Sequence, residues 1–194
     1  MSWKEFREKG RIVERNFYKK HLTNVIESSD YQDYNEHWDV QGDLGGRTLK
    51  FDIKGLKKTN RWDSNTQDDN AWVEGTNVRG RPGWVKGKAD YIVFERNNYW
   101  LVVNREELFK FIWSQLESRG FPKGKEIYHI YDRSAWGKKD KITLVPYADI
   151  ENLKDIKKLR KEAGRTFDGV SRPSNDEYRE EYNRIFGEWK SSEK

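Results

Sequence analysis

From Thr48 to Lys54 the chain alternates apolar and charged residues, with Leu49, Phe51 and Ile53 interleaved among Lys50, Asp52 and Lys54. A period of two predicts a strand whose apolar residues face one way and whose charged residues face the other. Glu36 to Gln41 predicts the preceding arm of a hairpin, turning through Gly42-Asp43-Leu44-Gly45-Gly46. On that arm Trp38 and Val40 are expected on one face, and His37, Asp39 and Gln41 on the other. Residues 2–27 predict a helix instead, because Ser2 and Glu5 have capping-box spacing. At 100° per residue Trp3, Phe6, Val13, His21 and Val25 gather within about 80° of Phe17, and Glu14 falls about 60° from it. An acid inside an apolar arc costs desolvation unless a salt bridge or a metal site compensates it.

Farther along, residues 55–88 read as irregular, with one short strand near Ala71-Trp72-Val73-Glu74. Ala89 to Glu95 and Tyr99 to Val103 are nearly continuous apolar runs joined by Arg96-Asn97-Asn98, the composition of strands buried on both faces. A helix from about Arg105 to Ser118 should stop at Arg119-Gly120-Phe121-Pro122. Residues 126–132 and 141–146 predict further strands. After 150 apolar residues thin out, Lys154, Lys157, Lys158, Arg160 and Lys161 read as the solvated face of a helix, and Tyr178, Tyr182, Ile185 and Trp189 form a stripe on another, after Ser174 and Glu177. The expected organisation is an α/β core over 1–150 with a charged helical extension over 151–194.

Composition narrows the chemistry. The absence of cysteine excludes disulfides, thiolate metal sites and a cysteine nucleophile, and three histidines leave a hard, oxygen-coordinated ion as the expected metal. A net charge of +5 makes a polyanionic partner plausible, and nine Trp and ten Tyr suit surfaces that stack on bases. No apolar run approaches 18 residues, so a soluble, cytoplasmic protein is expected. On the hairpin, Asp52 and Lys54 share a face, and Asp39 alongside would let it hold a divalent cation between carboxylates with an amine beside it. That is equipment for cutting a phosphodiester. The same alternation also describes an ordinary half-solvated strand.

The order of a helix with Glu14, a hairpin with Asp39 and then Asp52-Ile53-Lys54 resembles the PD-(D/E)XK nuclease superfamily. Lys9-Gly10-Arg11-Ile12-Val13-Glu14-Arg15 is similar to the first-helix motif of archaeal-type Holliday-junction resolvases. Trp38 stands where the family name has Pro, and Asp52 where Glu is commoner. The resemblance implies a restriction-endonuclease-like mixed central sheet flanked by helices. It also implies a homodimeric, Mg²⁺-dependent endonuclease, with Mn²⁺ as substitute, acting on DNA and in resolvase-like members on branched DNA. By the same resemblance Asp39, Asp52 and the Ile53 carbonyl would ligate the ion. Glu14 would bind through water or a second ion, and Lys54 would orient or deprotonate the attacking water. Clustered carboxylates repel one another, so at least one should have a raised pKa without metal.

Several residues have competing readings. Glu14 could pair with a buried Arg or Lys, Asp43 rivals Asp39 but suits a glycine turn, Asp90 could end a strand, and Gln67 stands where some relatives carry a functional Gln. For DNA contact the candidates are Lys57, Lys58 and Arg61, then Arg79, Arg81, Lys86 and Lys88, with Trp62 or Trp84 stacking on a base. The alternative there is a solvated loop anchored by a core Trp. Two rivals to the enzyme stand: a non-catalytic nucleic-acid-binding protein retaining the nuclease fold, and a protein-interaction module using the aromatic surface and the tail.

Overall fold

The apolar stripe around Phe17 does form a helix, but the helix ends sooner than its pattern suggests. Helix α1 spans Trp3–His21, with Lys19, Lys20 and His21 in its last turn, where cations complement the helix dipole. The next residues are rich in β-branched side chains, and Thr23–Glu27 forms strand β1. A second helix, α2 (Asp30–Glu36), starts at a Ser29–Gln32 capping box and ends at His37 in the left-handed conformation. It takes Glu36 from the expected hairpin arm, and residues 37–39 that follow are not strand. Strand β2 is therefore Val40–Leu44, and Gly45 and Gly46, both with positive φ, turn it into β3 (Arg47–Lys54). The structure is a computed structural model and describes residues 3–60, 62–116, 126–132, 137 and 139–161.

The remaining elements are β4 (Asn70–Thr76), a 3₁₀ turn at Trp84–Lys86, β5 (Tyr91–Glu95), β6 (Tyr99–Asn104), α3 (Arg105–Gln115), β7 (Tyr131–Asp132), β8 (Lys141–Pro146), the single turn α4 (Tyr147–Ile150) and β9 (Ile156–Arg160). Together they make an α/β fold. A mixed six-stranded sheet runs β1-β2-β3-β5-β6-β9, in which only β3 and β5 pair parallel, and a second, antiparallel sheet runs β4-β8-β7.

Both faces of the large sheet are covered. Phe17 and Tyr18 of α1 pack with Val40, Phe51, Ile53, Tyr91 and Val93, while Trp38, Ile92 and Phe94 pack with Val73, Leu108, Ile112 and Val145 from the second sheet and α3. Leu49, Phe51 and Ile53 share the α1 side as expected. Trp38 and Val40 do not share a face, because the left-handed His37 and the late start of β2 place Trp38 in the opposite layer.

The boundary expected at 150 is overturned. Residues 156–160 are not a solvated helix: Lys157 and Lys158 lie on β9, which pairs with β6, and the compact unit extends to Glu162. Charged residues suit this position, because β9 is an edge strand and must not invite further pairing. The stop signal at 119–122, Arg61 and the stripe from 178 to 189 lie outside the described residues. Among the described residues no helix is long and apolar enough to cross a membrane.

Candidate active site

Two loops of backbone fix the position of Asp39. Immediately after α2 and the reversal at His37, its N–H donates to Phe51 O at 2.8 Å and its carbonyl accepts from Ser28 N at 2.9 Å. Its carboxylate turns toward β3, where Oδ2 accepts from Ile53 N at 2.6 Å. Asp52 is 1 % exposed and pairs through Oδ1 with Lys54 Nζ at 2.5 Å. Asp52 Oδ2 is buried and meets no N–H donor, and the neighbouring Asp39 carboxyl hydrogen-bonds Asp52 when it holds a proton. The charged face of β3 is therefore not a solvated one: Lys54 Nζ lies 5.1 Å from the ring centroid of Trp84, and Lys50 Nζ lies 4.7 Å from that of Trp38.

The electrostatics match this burial. Desolvation and the neighbouring Asp52 charge raise Asp39 well above the usual carboxylate range, and Lys54 and the Ile53 amide only partly offset them. Burial also raises Asp52, against the opposing pull of Lys54. Burial alone would lower Lys54, but Asp52 and Asp39 outweigh it and its pKa rises. Glu14 lies half-buried on α1 and is pushed up to about 7, first by burial and then by Asp39 and Asp33. Glu14 and Asp39 line one open cleft, together with Asp30, Asp33 and three arginines of α1.

The structure thus brings Asp39, Asp52 and Lys54 together and sets Glu14 across the cleft from Asp39. No ion pair to Glu14 forms among the described residues; Lys54 and then Arg11 draw its pKa down without offsetting the burial. A divalent cation would suit this donor set, since one lysine cannot neutralise Asp39, Asp52 and Glu14, all three of which are raised. Among the described residues no three acidic or histidine side chains are grouped closely enough to hold an ion, so the inner site has two carboxylates, Asp39 and Asp52. Two acids near the site escape the sequence pattern. Asp33 raises Glu14, Asp39 and Asp52 from α2, and Glu74 of β4 acts on Lys54. The Ser29–Gln32 capping box was the available signal for α2 and hence for Asp33.

Other candidates resolve into structural roles. Asp43 bonds Asn24 at 2.6 Å and Thr48 at 2.5 Å, which stabilises the hairpin. Asp90 Oδ2 accepts from Lys50 N at 2.8 Å, and Gln67 ties the turn before β4 through Asn70 O at 2.6 Å and the amides of Asp69 and Asn70. Trp84 is not a stacking platform: it is 8 % exposed, edge-on to Phe94, and anchors the layer beside Lys54. Trp62 is 90 % exposed.

The basic candidates are placed at the surface. Arg79 and Arg81 lie over Tyr34 of α2, Lys88 pairs with Glu36 at 2.8 Å, and Lys86 lies over Trp113. Their loop is docked on α2 by Gly87, where a Cβ would come within 2.6 Å of His37 Cβ. Lys58 donates to Asp63 O, and Lys57 is lowered by the protein crowded about its ammonium and then by the Lys54 charge.

Glu14 makes a measurable prediction. Its folded pKa near 7 exceeds its ordinary 4.5, so its effect on stability is absent below about pH 4.5 and grows as pH rises toward 7. Because the group is partly open to solvent, the penalty at pH 8 is discounted to roughly 1–2 kcal/mol. In urea unfolding without divalent cations, Glu14→Gln should gain that much over the parent at pH 8 and nothing at pH 4. An equal gain at both pH values would rule this out.

Comparison with known proteins returns no match: no family model, no curated protein and no solved structure aligns significantly with this chain.

Proposed function

We propose that the protein is a divalent-metal-dependent DNA endonuclease of the PD-(D/E)XK type, with a restriction-endonuclease-like core. The observation that carries this reading is the Asp39–Asp52–Lys54 group, in which two coupled carboxylates, one of them 1 % exposed, share a single lysine. Such an arrangement is costly for stability alone, since placing two carboxylates side by side with one of them out of water disfavours folding. Its assembly from two separate elements suits a site that binds a cation.

Asp39, Asp52 and the Ile53 carbonyl would hold Mg²⁺ or Mn²⁺, with Glu14 contributing through water from across the cleft. When bound, the ion supplies Lewis acidity to the phosphate and a more acidic water. Lys54 is kept charged by Asp52 and Asp39, so its part is to orient the water and offset charge on the phosphate rather than to take a proton. The open cleft leaves room for a backbone phosphate beside Asp39 and Glu14.

The test is the purified protein with Mg²⁺ or Mn²⁺ against labelled four-way junction, flap, single-stranded and duplex DNA. Cleavage that EDTA stops and Asp52→Asn abolishes supports the reading. DNA binding without cleavage on every substrate would replace it with a non-catalytic binding protein on the same fold.

A further inference from the structure

The acidic site repels the phosphate it is proposed to act on, so something must hold the polyanion in place. Helix α1 carries Arg7, Arg11 and Arg15 four residues apart, and all three line the cleft that Glu14 and Asp39 share. A four-residue step along a helix advances about 6 Å and nearly returns to the same face, so the three form one rail about 12 Å long. That step is comparable to the separation of successive phosphates along one nucleic-acid strand. Glu14 sits immediately before Arg15 on the same helix, which puts the rail beside the proposed reaction centre.

The present partners of these arginines are weak competitors. Arg7 pairs with Asp30, and Arg15 reaches Glu8 at 3.4 Å and hydrogen-bonds the Tyr18 hydroxyl, with each arginine side chain 44 % exposed. Exposed pairs of this kind contribute little and exchange readily for a doubly charged, fork-shaped contact such as Arg to phosphate. Arg11 is exposed, and its charge acts on Glu14 in the same cleft. The basic loop of Arg79, Arg81 and Lys88 instead lies on the outer side of α2, engaged with Tyr34 and Glu36.

We infer that Arg7, Arg11 and Arg15 form a phosphate rail that binds the backbone of one DNA strand along α1 and leads it into the Glu14–Asp39 cleft. The inference rests on the nucleic-acid part of the reading above and not on cleavage. It assigns DNA contact to α1 in place of the 79–88 loop. Contacts to phosphates alone carry no base identity, so the rail should bind any sequence equally.

Fluorescence anisotropy of labelled single-stranded and junction DNA with the full chain in EDTA tests it, because cleavage is then silent. Arg7→Gln, Arg11→Gln and Arg15→Gln should each weaken binding and lower the dependence of log K on log salt by about 0.7–0.9, with the triple variant near 2–3. Circular dichroism and melting temperature should match the parent, since all three side chains are at the surface. Arg79→Gln with Arg81→Gln should leave the slope unchanged. A triple variant with parental affinity and slope overturns the rail, as does a slope lost only in the Arg79/Arg81 variant or a parent that binds no DNA. Parental binding that follows the expected slopes, with no cleavage in Mg²⁺, keeps the rail and rejects the endonuclease.

Discussion

Lys54→Ala should destabilise the protein by about 3–5 kcal/mol at pH 8 and abolish the proposed metal-dependent cleavage, because it removes the cation beside the buried Asp52 and the partly buried Asp39. In the parent, Lys54 bonds Asp52 and acts on Asp39, and both acids are already raised by burial. Without it, Asp39 and Asp52 must either keep a proton between them or stand ionised side by side, Asp52 out of water and Asp39 at the cleft. The sign of the pH dependence follows. Both folded pKa values lie above the unfolded ones, so the loss should be small where the pair is protonated and grow as pH rises. Urea unfolding of Lys54→Ala at pH 5 and pH 8 in EDTA measures it. Millimolar Mn²⁺ should restore part of the stability at pH 8 by substituting for the missing charge, without restoring cleavage. A variant as stable as the parent at pH 8 would show that the pair is not buried as described.

Trp84→Ala should cost a further 3–5 kcal/mol, the range for truncating a large buried aromatic. Trp84 is 8 % exposed, packs against Phe94 at 6.1 Å between ring centroids, and supports Lys54 Nζ at 5.1 Å. Trp84→Phe keeps an apolar ring in the layer and should recover most of the stability. DNA affinity at a temperature where the variants stay folded should be unchanged, and cleavage should fall, because Lys54 loses its support while the phosphate contacts remain. The reverse result, lost affinity with parental stability, would make Trp84 a base-stacking residue after all.

Trp84 also shows where reading the sequence stops. A Trp between Gly83 and Val85 in a basic, glycine-rich stretch has the same local signature whether it anchors a layer or stacks on a base. Only the pairing of the second sheet and α3 over the large one buries it. Likewise the period-two pattern of β3 places Asp52 and Lys54 on one face and Leu49, Phe51 and Ile53 on the other, because alternation is a local property of the strand. The helical arc around Phe17 locates Glu14 for the same reason.

Where local signals conflict, the tertiary structure decides. The Thr23–Glu27 segment continues the helical arc on paper, yet it pairs with β2 as a strand. The basic residues Lys157 and Lys158 read as a helix face until β6 recruits them as an edge strand, since sheet pairing depends on a partner distant in sequence.

By itself, the sequence determined that Asp52 and Lys54 share a strand face and that Glu14 lies on the apolar side of a helix, and its lack of cysteine excluded thiolate metal sites. These follow from helix and strand periods and from composition. The tertiary structure alone decided that the charged face is buried under Trp38 and Trp84, that Asp39 rather than Asp43 joins Asp52, and that Glu14 faces Asp39 across a cleft lined by α1 arginines. Those are distances between residues far apart in the chain, which only packing sets.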